Sequence, residues 1–314
     1  MSDRSLPEDE RSLVGVPLIW PEGNFSMRMT TKLRELIGAE NLPWSMAVYD
    51  GLTAKLACEA GFEFLSSAGF SIAAGLGLPD MELYSMTENL RATRAVVAAS
   101  SVPVLADVDT GYGNALNVMR TVREFEQAGV GGIMLEDQVS PKICPAMGES
   151  EIIPLEQAVG KVRAAIAARR DSDLVIVART DALDVDEACR RAKAFAEAGA
   201  DMVFTVNRCC KNIADLRRVR AAAGVPLRVH VMGWVEQLTE EELRSVAGSA
   251  GWSFPVLLTA VAALRANLGA IYRDKSALSP PMPMTGLDEF KALIGFPEME
   301  RLMKEFIPIA QGAS

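Results

Sequence analysis

The sequence predicts an α/β protein built as a closed (β/α)8 (TIM) barrel, and three observations predict it. First, a helix-like stretch ends in a Glu/Gln-Ala-Gly phrase three times, at Glu59-Ala-Gly61, Gln127-Ala-Gly129 and Glu197-Ala-Gly199, with an apolar run after each. Second, those glycines lie 68 and 70 residues apart, and β-branched runs at 101–107, 173–179 and 224–230 sit midway. The repeat is thus roughly 35 residues of strand plus helix, with glycine as the helix stop. Third, the runs are apolar throughout rather than alternating, as expected of a parallel sheet covered by helices.

Strands are expected over 46–49, 62–66, 102–107, 131–136, 174–179, 202–206, 227–231 and roughly 251–255. Eight units favour a closed barrel over an open doubly wound sheet. A dinucleotide fold would need Gly-x-Gly-x-x-Gly after the first strand, where the chain reads Tyr49-Asp-Gly-Leu-Thr-Ala54. A long helix follows over 256–273, then the rigid linker Ser279-Pro-Pro-Met-Pro283, then further helix over 287–306. The expected division is a catalytic barrel with an N-terminal extension, 1–278, and a C-terminal helical arm, 279–314. The arm either reaches a neighbouring subunit or packs on its own.

Of 314 residues, 32 are Lys or Arg and 41 are Asp or Glu, a net charge of −9. The pI near 4.9 argues against a nucleic-acid surface. The single histidine, His230, excludes multi-His zinc and iron sites within one chain. Five cysteines without a C-x-x-C pair read as reduced thiols of a cytoplasmic protein. The polar, acidic first ten residues do not read as a signal peptide. The longest apolar stretches, 95–106 and 254–264, fall short of a membrane span, so no membrane partner is expected. Partners are expected to be small molecules or copies of the same chain.

In such a barrel the C-terminal ends of the strands line the active site. Those positions hold Tyr49-Asp50, residues 66–69, Asp107 with Asp109, Glu136-Asp137, Arg179 with Asp181, Val206-Asn207 and His230. Asp107, Asp109 and Glu136 fall on adjacent strands and would repel unless a cation sat among them. Hard oxygen ligands suit Mg²⁺, with Mn²⁺ as the alternative. Residues 138–150 form a long loop of the kind that closes over sites. It carries Lys142 and Cys144, and a thiol near Lys on a mobile loop is expected to have a depressed pKa and to serve as acid or base.

These residues resemble the isocitrate lyase/phosphoenolpyruvate mutase superfamily from about Lys32 to Ser253. The resemblance is carried by Val48-Tyr-Asp-Gly-Leu-Thr-Ala54, Gly75-Leu-Gly-Leu-Pro-Asp80, Ala106-Asp-Val-Asp-Thr-Gly-Tyr-Gly-Asn114, Leu135-Glu-Asp-Gln138, Pro141-Lys142, Ala178-Arg-Thr-Asp181 and Ala198-Gly-Ala-Asp201. It implies a barrel whose eighth helix swaps between subunits, usually in a dimer of dimers. It also implies Mg²⁺ held directly by Asp107 and through waters by Asp80, Asp109 and Glu136, chelating a pyruvate-like or glyoxylate-like unit. Arg179 would neutralise charge beside the 2-oxygen, and backbone near Ala68-Gly69 would bind the carboxylate.

The loop separates the superfamily's reactions. Carbon–carbon lyases carry Lys-(Lys/Arg)-Cys-Gly-His, with Cys protonating the leaving enolate; here Lys142-Ile-Cys-Pro-Ala146 keeps Lys and Cys and loses Gly-His. Cys144 disfavours the phosphonopyruvate enzymes. Ala68 stands where a Ser is usual, Val206 where lyases place Glu, and His230 where Asn is usual. The resulting expectation is a Mg²⁺-dependent lyase cleaving a C–C bond of a small 2-hydroxy or 2-oxo dicarboxylic acid through a metal-bound enolate. Cys144, Arg179, Tyr49 and Lys142 are its catalytic candidates, and Ala68, Gly69, Asp80, Asn207 and His230 its substrate-binding positions. An oxaloacetate decarboxylase-like enzyme, or one acting on a P–C bond, is the alternative.

Overall fold

A computed structural model describes residues 27–307 apart from Met147 and Glu149. These residues fall into two compact units, one of them Met27–Pro283 and the other beginning at Met284. The N-terminal extension expected before the barrel lies largely outside the described residues.

Helix α1 (Met29–Gly38) precedes β1 (Trp44–Val48), α2 (Gly51–Glu59), β2 (Phe64–Ser67), α3 (Gly69–Gly75), α4 (Met86–Ala99) and β3 (Val104–Asp107). Then come α5 (Ala115–Gln127), β4 (Gly132–Glu136), α6 (Leu155–Ala168), β5 (Val175–Thr180), α7 (Val185–Glu197) and β6 (Met202–Thr205). The unit ends with α8 (Ile213–Ala223), β7 (Leu227–His230), α9 (Glu240–Arg244), β8 (Ala247–Trp252) and α10 (Pro255–Asp274). The eight strands pair in parallel in sequence order, and β1 pairs with β8 to close the barrel.

Local chemistry starts and stops the helices as the sequence requires. Asp50 and Ser85 cap α2 and α4 in reciprocal capping boxes, Asn114 caps α5, and Asp184 caps α7. Gly61, Gly129 and Gly199 all take positive φ (93°, 89° and 103°), which is why glycine ends each repeat. Helix α5 buries Val118, Val122 and Phe125 against Ala106, Ile133 and Leu135 of the sheet. Inside the barrel, Phe64, Leu105, Met134, Val177, Met202 and Phe204 form an apolar plug.

Three expectations need correction. The eighth strand is Ala247–Trp252, not 251–255. Its Ala-Gly-Ser-Ala-Gly run has little strand propensity, but the closing seam demands small residues, since a Cβ on Gly251 would overlap the backbone and side chain of Ser45. The helix expected over 287–306 is two, α11 (Leu287–Leu293) and α12 (Phe296–Phe306), separated at Gly295 with φ 80° and followed by Pro297 in the first turn. Third, the apolar stretch near 254–264 continues through α10, a 20-residue helix in which an 18-residue window has a mean hydropathy of 1.4, enough by length and composition alone for a membrane span. Leu258, Val261, Leu264, Leu268 and Tyr272 are exposed on it, while Asn267 exchanges hydrogen bonds with the backbone of Met282.

The tightness of the sheet is directly testable at Gly132. A Cβ there would stand 2.7 Å from the Val175 carbonyl oxygen and 3.1 Å from Leu105 Cδ1. Gly132→Ala is expected to destabilise the barrel by about 1–3 kcal/mol, read as a lower urea midpoint with an unchanged slope. An unchanged midpoint would show that the strands can part there without cost.

Candidate active site

Parallel register places the chemistry. Asp107 pairs with Met134 and Glu136 with Arg179, so the ends of β3, β4 and β5 bring two acids and a guanidinium to one mouth. Beyond β3 the chain turns through Asp109, Gly111, Tyr112 and Gly113, all at positive φ. For Asp109 (φ 48°) and Tyr112 (φ 59°) this conformation is strained. The turn is held by Asp109 N–H donating to Asp107 Oδ1 at 3.2 Å and by Tyr84 and Tyr112 donating to Asp109 Oδ2 at 2.6 and 3.2 Å. Asn89 donates to the Asp107 carbonyl and to the Tyr112 hydroxyl, tying α4 to the same turn.

The loop 138–150 folds onto these acids. Its ends are zipped by the Gln138–Ile152 bridge, and Gly148 N–H donates to the Cys144 carbonyl. Lys142 is 2% exposed, its Nζ 2.8 Å from both Asp80 Oδ1 and Asp109 Oδ1. Glu82 fastens the loop: its carboxylate accepts from Ser140 Oγ (2.7 Å), Lys142 N–H (3.0 Å) and Thr110 Oγ1 (2.6 Å). Cys144 N–H donates to the Asp80 carbonyl at 3.1 Å. Arg179 is shared between Glu136 Oε2 and Asp181, each at 2.9 Å, and Gln138 donates to the other oxygen of Asp181.

These groups surround a cavity of about 100 Å³. Asp80, Asp107, Lys142, Arg179, Cys144, Ala68 and His230 line it, together with Phe70, Met134, Val206, Arg228 and Trp252. Gly69 stands beside it with its N–H 3.3 Å from Asp107 Oδ2. A side chain there would collide with the Tyr84 hydroxyl at 2.6 Å and Asp109 Oδ1 at 2.9 Å, so only glycine leaves backbone open at this edge. Asp109 and Glu136 lie behind the wall. Tyr49 does not line the cavity, and Asn207 acts on the backbone, donating to the carbonyls of His230 and Met232.

Charge is unbalanced here. Among the described residues, Asp80, Asp107, Asp109, Glu136 and Asp181 face only Lys142 and Arg179 within ion-pair distance. Burial, then Asp109, pushes Asp107 up to about 6, and burial drives Glu136 well above its ordinary value despite Arg179 and Lys142. Burial disfavours the charged Lys142, but Asp109, Glu136, Asp107 and Asp80 outweigh it and hold the ammonium well above its usual range. Glu136 Oε1 is buried without a partner. Among the described residues no three acidic, thiol or imidazole side chains converge closely enough to cage an ion alone. A hard divalent cation with one direct carboxylate and several waters fits this surplus of oxygen and negative charge.

One expectation reverses. The Cys144 thiol is not depressed; burial, then Asp80, pushes it up to about 11, and the opposing charges of Lys142 and Arg179 are smaller. His230, driven well below its ordinary value by burial and by Arg228 and Arg179, is neutral, and Ser253 Oγ lies 2.9 Å from its Nδ1. The sequence reading missed Glu82, Tyr84, Asn89 and Arg228. Only contacts across 18 to 60 residues of chain reveal the first three, and Arg228 looks like one polar residue in an apolar strand.

The sequence profile of the phosphoenolpyruvate phosphomutase family matches residues 33–271. The chain is 46% identical over 182 residues to 2,3-dimethylmalate lyase of Eubacterium barkeri, covering 57% of this chain and 63% of that enzyme, so the match spans less than two thirds of that relative. It is 36% identical to an oxaloacetate decarboxylase of Bradyrhizobium diazoefficiens over 90% of this chain and 95% of the relative. The crystal structure of a phosphonopyruvate hydrolase complexed with oxalate and Mg²⁺ superposes with a TM-score of 0.82 at 32% identity, covering 90% and 100% of the two chains. Barrel, carboxylate cluster and sequence thus agree: the chain belongs to the phosphoenolpyruvate phosphomutase family, among the lyases and related enzymes of the PEP mutase/isocitrate lyase superfamily.

Proposed function

We propose that this protein is a Mg²⁺-dependent lyase, with Mn²⁺ as a substitute, that cleaves a carbon–carbon bond of a small 2-hydroxy or 2-oxo dicarboxylic acid. The observation that carries the reading is the position of the Cys144 thiol, on the wall of the cavity that Asp80, Asp107 and Arg179 also line and where burial raises it. A retro-aldol cleavage leaves an enolate that must be protonated on carbon, and a thiol that keeps its proton is a suitable donor.

Asp107 is the direct metal ligand, with Asp80, Asp109 and Glu136 acting through water. When bound, Mg²⁺ supplies Lewis-acid stabilisation of charge developing on the substrate's 2-oxygen. Arg179, oriented by Glu136 and Asp181, adds a fixed positive charge beside that oxygen. Backbone at Ala68-Gly69 receives the substrate carboxylate. Lys142 and Tyr49 are the candidates for assisting proton transfer, and of the two Lys142 lines the cavity. The lid 138–150 excludes water once Glu82 has fastened it. Residues 1–278 carry this chemistry and 279–314 form a helical arm. The exposed apolar stripe of α10 supports a homo-oligomer, a dimer of dimers with that helix exchanged, and the five free cysteines support a cytoplasmic setting.

A second reading, oxaloacetate decarboxylation, is favoured by the apolar Val206 in the wall and by the length of the match to a decarboxylase. Cys144→Ser distinguishes the two. Serine raises the acid's pKa out of the useful range, so a lyase should lose about 10²–10⁴-fold in kcat. A decarboxylase that draws its proton from water should stay within about tenfold. Assays on malate-type diacids, oxaloacetate and phosphonopyruvate identify the substrate first; an intact C–C lyase activity in Cys144→Ser removes the thiol from the mechanism.

The metal reading predicts that Asp107→Ala abolishes turnover and calorimetric Mg²⁺ binding, while the apo melting temperature holds or rises as repulsion is relieved. Full turnover in excess EDTA would sink it. For the lid, Glu82→Ala should speed proteolysis within 138–150 several-fold, and Mg²⁺ with oxalate should slow it again. Identical cleavage of wild type and variant would show that Glu82 is no latch.

A further inference from the structure

The inner face of the barrel is apolar on one side only. Along the seam where β7, β8 and β1 meet, Arg228, Ser249 and Ser45 contact one another inside the barrel, where bulky branched side chains are usual. Arg228 is 2% exposed and lines the cavity. Its Nη2 donates to Ser45 Oγ at 2.9 Å, its Nη1 to Ser249 Oγ at 3.3 Å, and Phe64 lies 5.3 Å from its Cζ. Its Nε is buried with no partner.

Three cations line the cavity, and only one lacks a carboxylate within ion-pair distance among the described residues. Lys142 is held by Asp80 and Asp109, and Arg179 by Glu136 and Asp181. Among the described residues Arg228 has only the two hydroxyls as hydrogen-bond partners and the Phe64 ring beside it. An uncompensated guanidinium is costly to bury, and an apolar side chain of similar volume would be better tolerated there. Burial draws Arg228 down to about 10, still protonated at neutral pH, with Asp107 the one carboxylate whose field supports it. Two residues further along the same strand, neutral His230 supplies hydrogen bonding but no charge.

We propose that Arg228, oriented by Ser45 and Ser249, receives the second anionic group of the substrate at the inner end of the cavity and so selects dicarboxylates over monocarboxylates. This rests on the dicarboxylate reading above and supplies the counter-charge which that reading lacks. The guanidinium offers an unused Nε–H beside its Nη2–H, the edge that carboxylates bind in pairs of hydrogen bonds.

The test is calorimetric titration of the full chain, in Mg²⁺, with malate and with lactate, which differ by that second carboxylate. Wild type is expected to bind malate more tightly. Arg228→Met should lower malate affinity by about 10–100-fold and leave lactate within about threefold. Arg228→Gln, which keeps a hydrogen-bonding group without charge, should behave likewise and guards against misfolding of the first variant. Both should melt at or above the wild-type temperature. A malate preference that survives both substitutions, or an equal loss for both ligands, overturns the assignment of Arg228 while leaving the dicarboxylate reading standing. A wild type without preference overturns the dicarboxylate reading and this inference with it.

Discussion

Everything at the mouth of this barrel depends on one electrostatic constraint: Asp80, Asp107, Asp109 and Glu136 are buried together, each under a tenth exposed. Carboxylates so placed raise one another's pKa and would protonate or separate without compensation. The fold meets this with two tied cations and a set of donors. Tyr84, Tyr112 and backbone N–H groups serve the oxygens of Asp107 and Asp109 that Lys142 and Arg179 do not reach. The remaining negative charge is what the proposed divalent cation would offset.

That constraint also explains the lid. Lys142 is a loop residue, yet it is as buried as the barrel core because two carboxylates hold its ammonium. The loop as folded therefore does two things at once: it neutralises part of the cluster and sets Cys144 on the cavity wall. There burial, then Asp80, raises the thiol, and the opposing charge of Lys142 does not outweigh them.

The barrel interior beneath the site is asymmetric for a related reason. The β8–β1 seam is closed by glycine and small residues, and the space they leave admits Arg228 from β7. A bulky residue at Gly251 would push the seam open, and larger residues at Ser45 or Ser249 would fill the place of the guanidinium. Strand closure and the charge at the inner end of the cavity are consequences of the same side-chain volumes.

By itself the sequence determined the eight strand–helix units, their glycine stops, and the acids at the ends of β3 and β4. These are legible because period, propensity and capping are local properties, and because parallel register carries strand ends to one face. The β8 boundary, the break at Gly295, the pKa direction of Cys144 and the place of Glu82 were decided by tertiary structure. Most depend on which atoms meet across the fold: small residues become a strand because β1 and β7 pair with them, and a thiol is raised because the fold buries it beside Asp80. Arg228 shows the division most clearly. The sequence places a charge in an apolar strand, and only the folded barrel shows that hydroxyls rather than carboxylates accept its hydrogen bonds among the described residues, since that depends on β1 and β8 arriving from opposite ends of the chain.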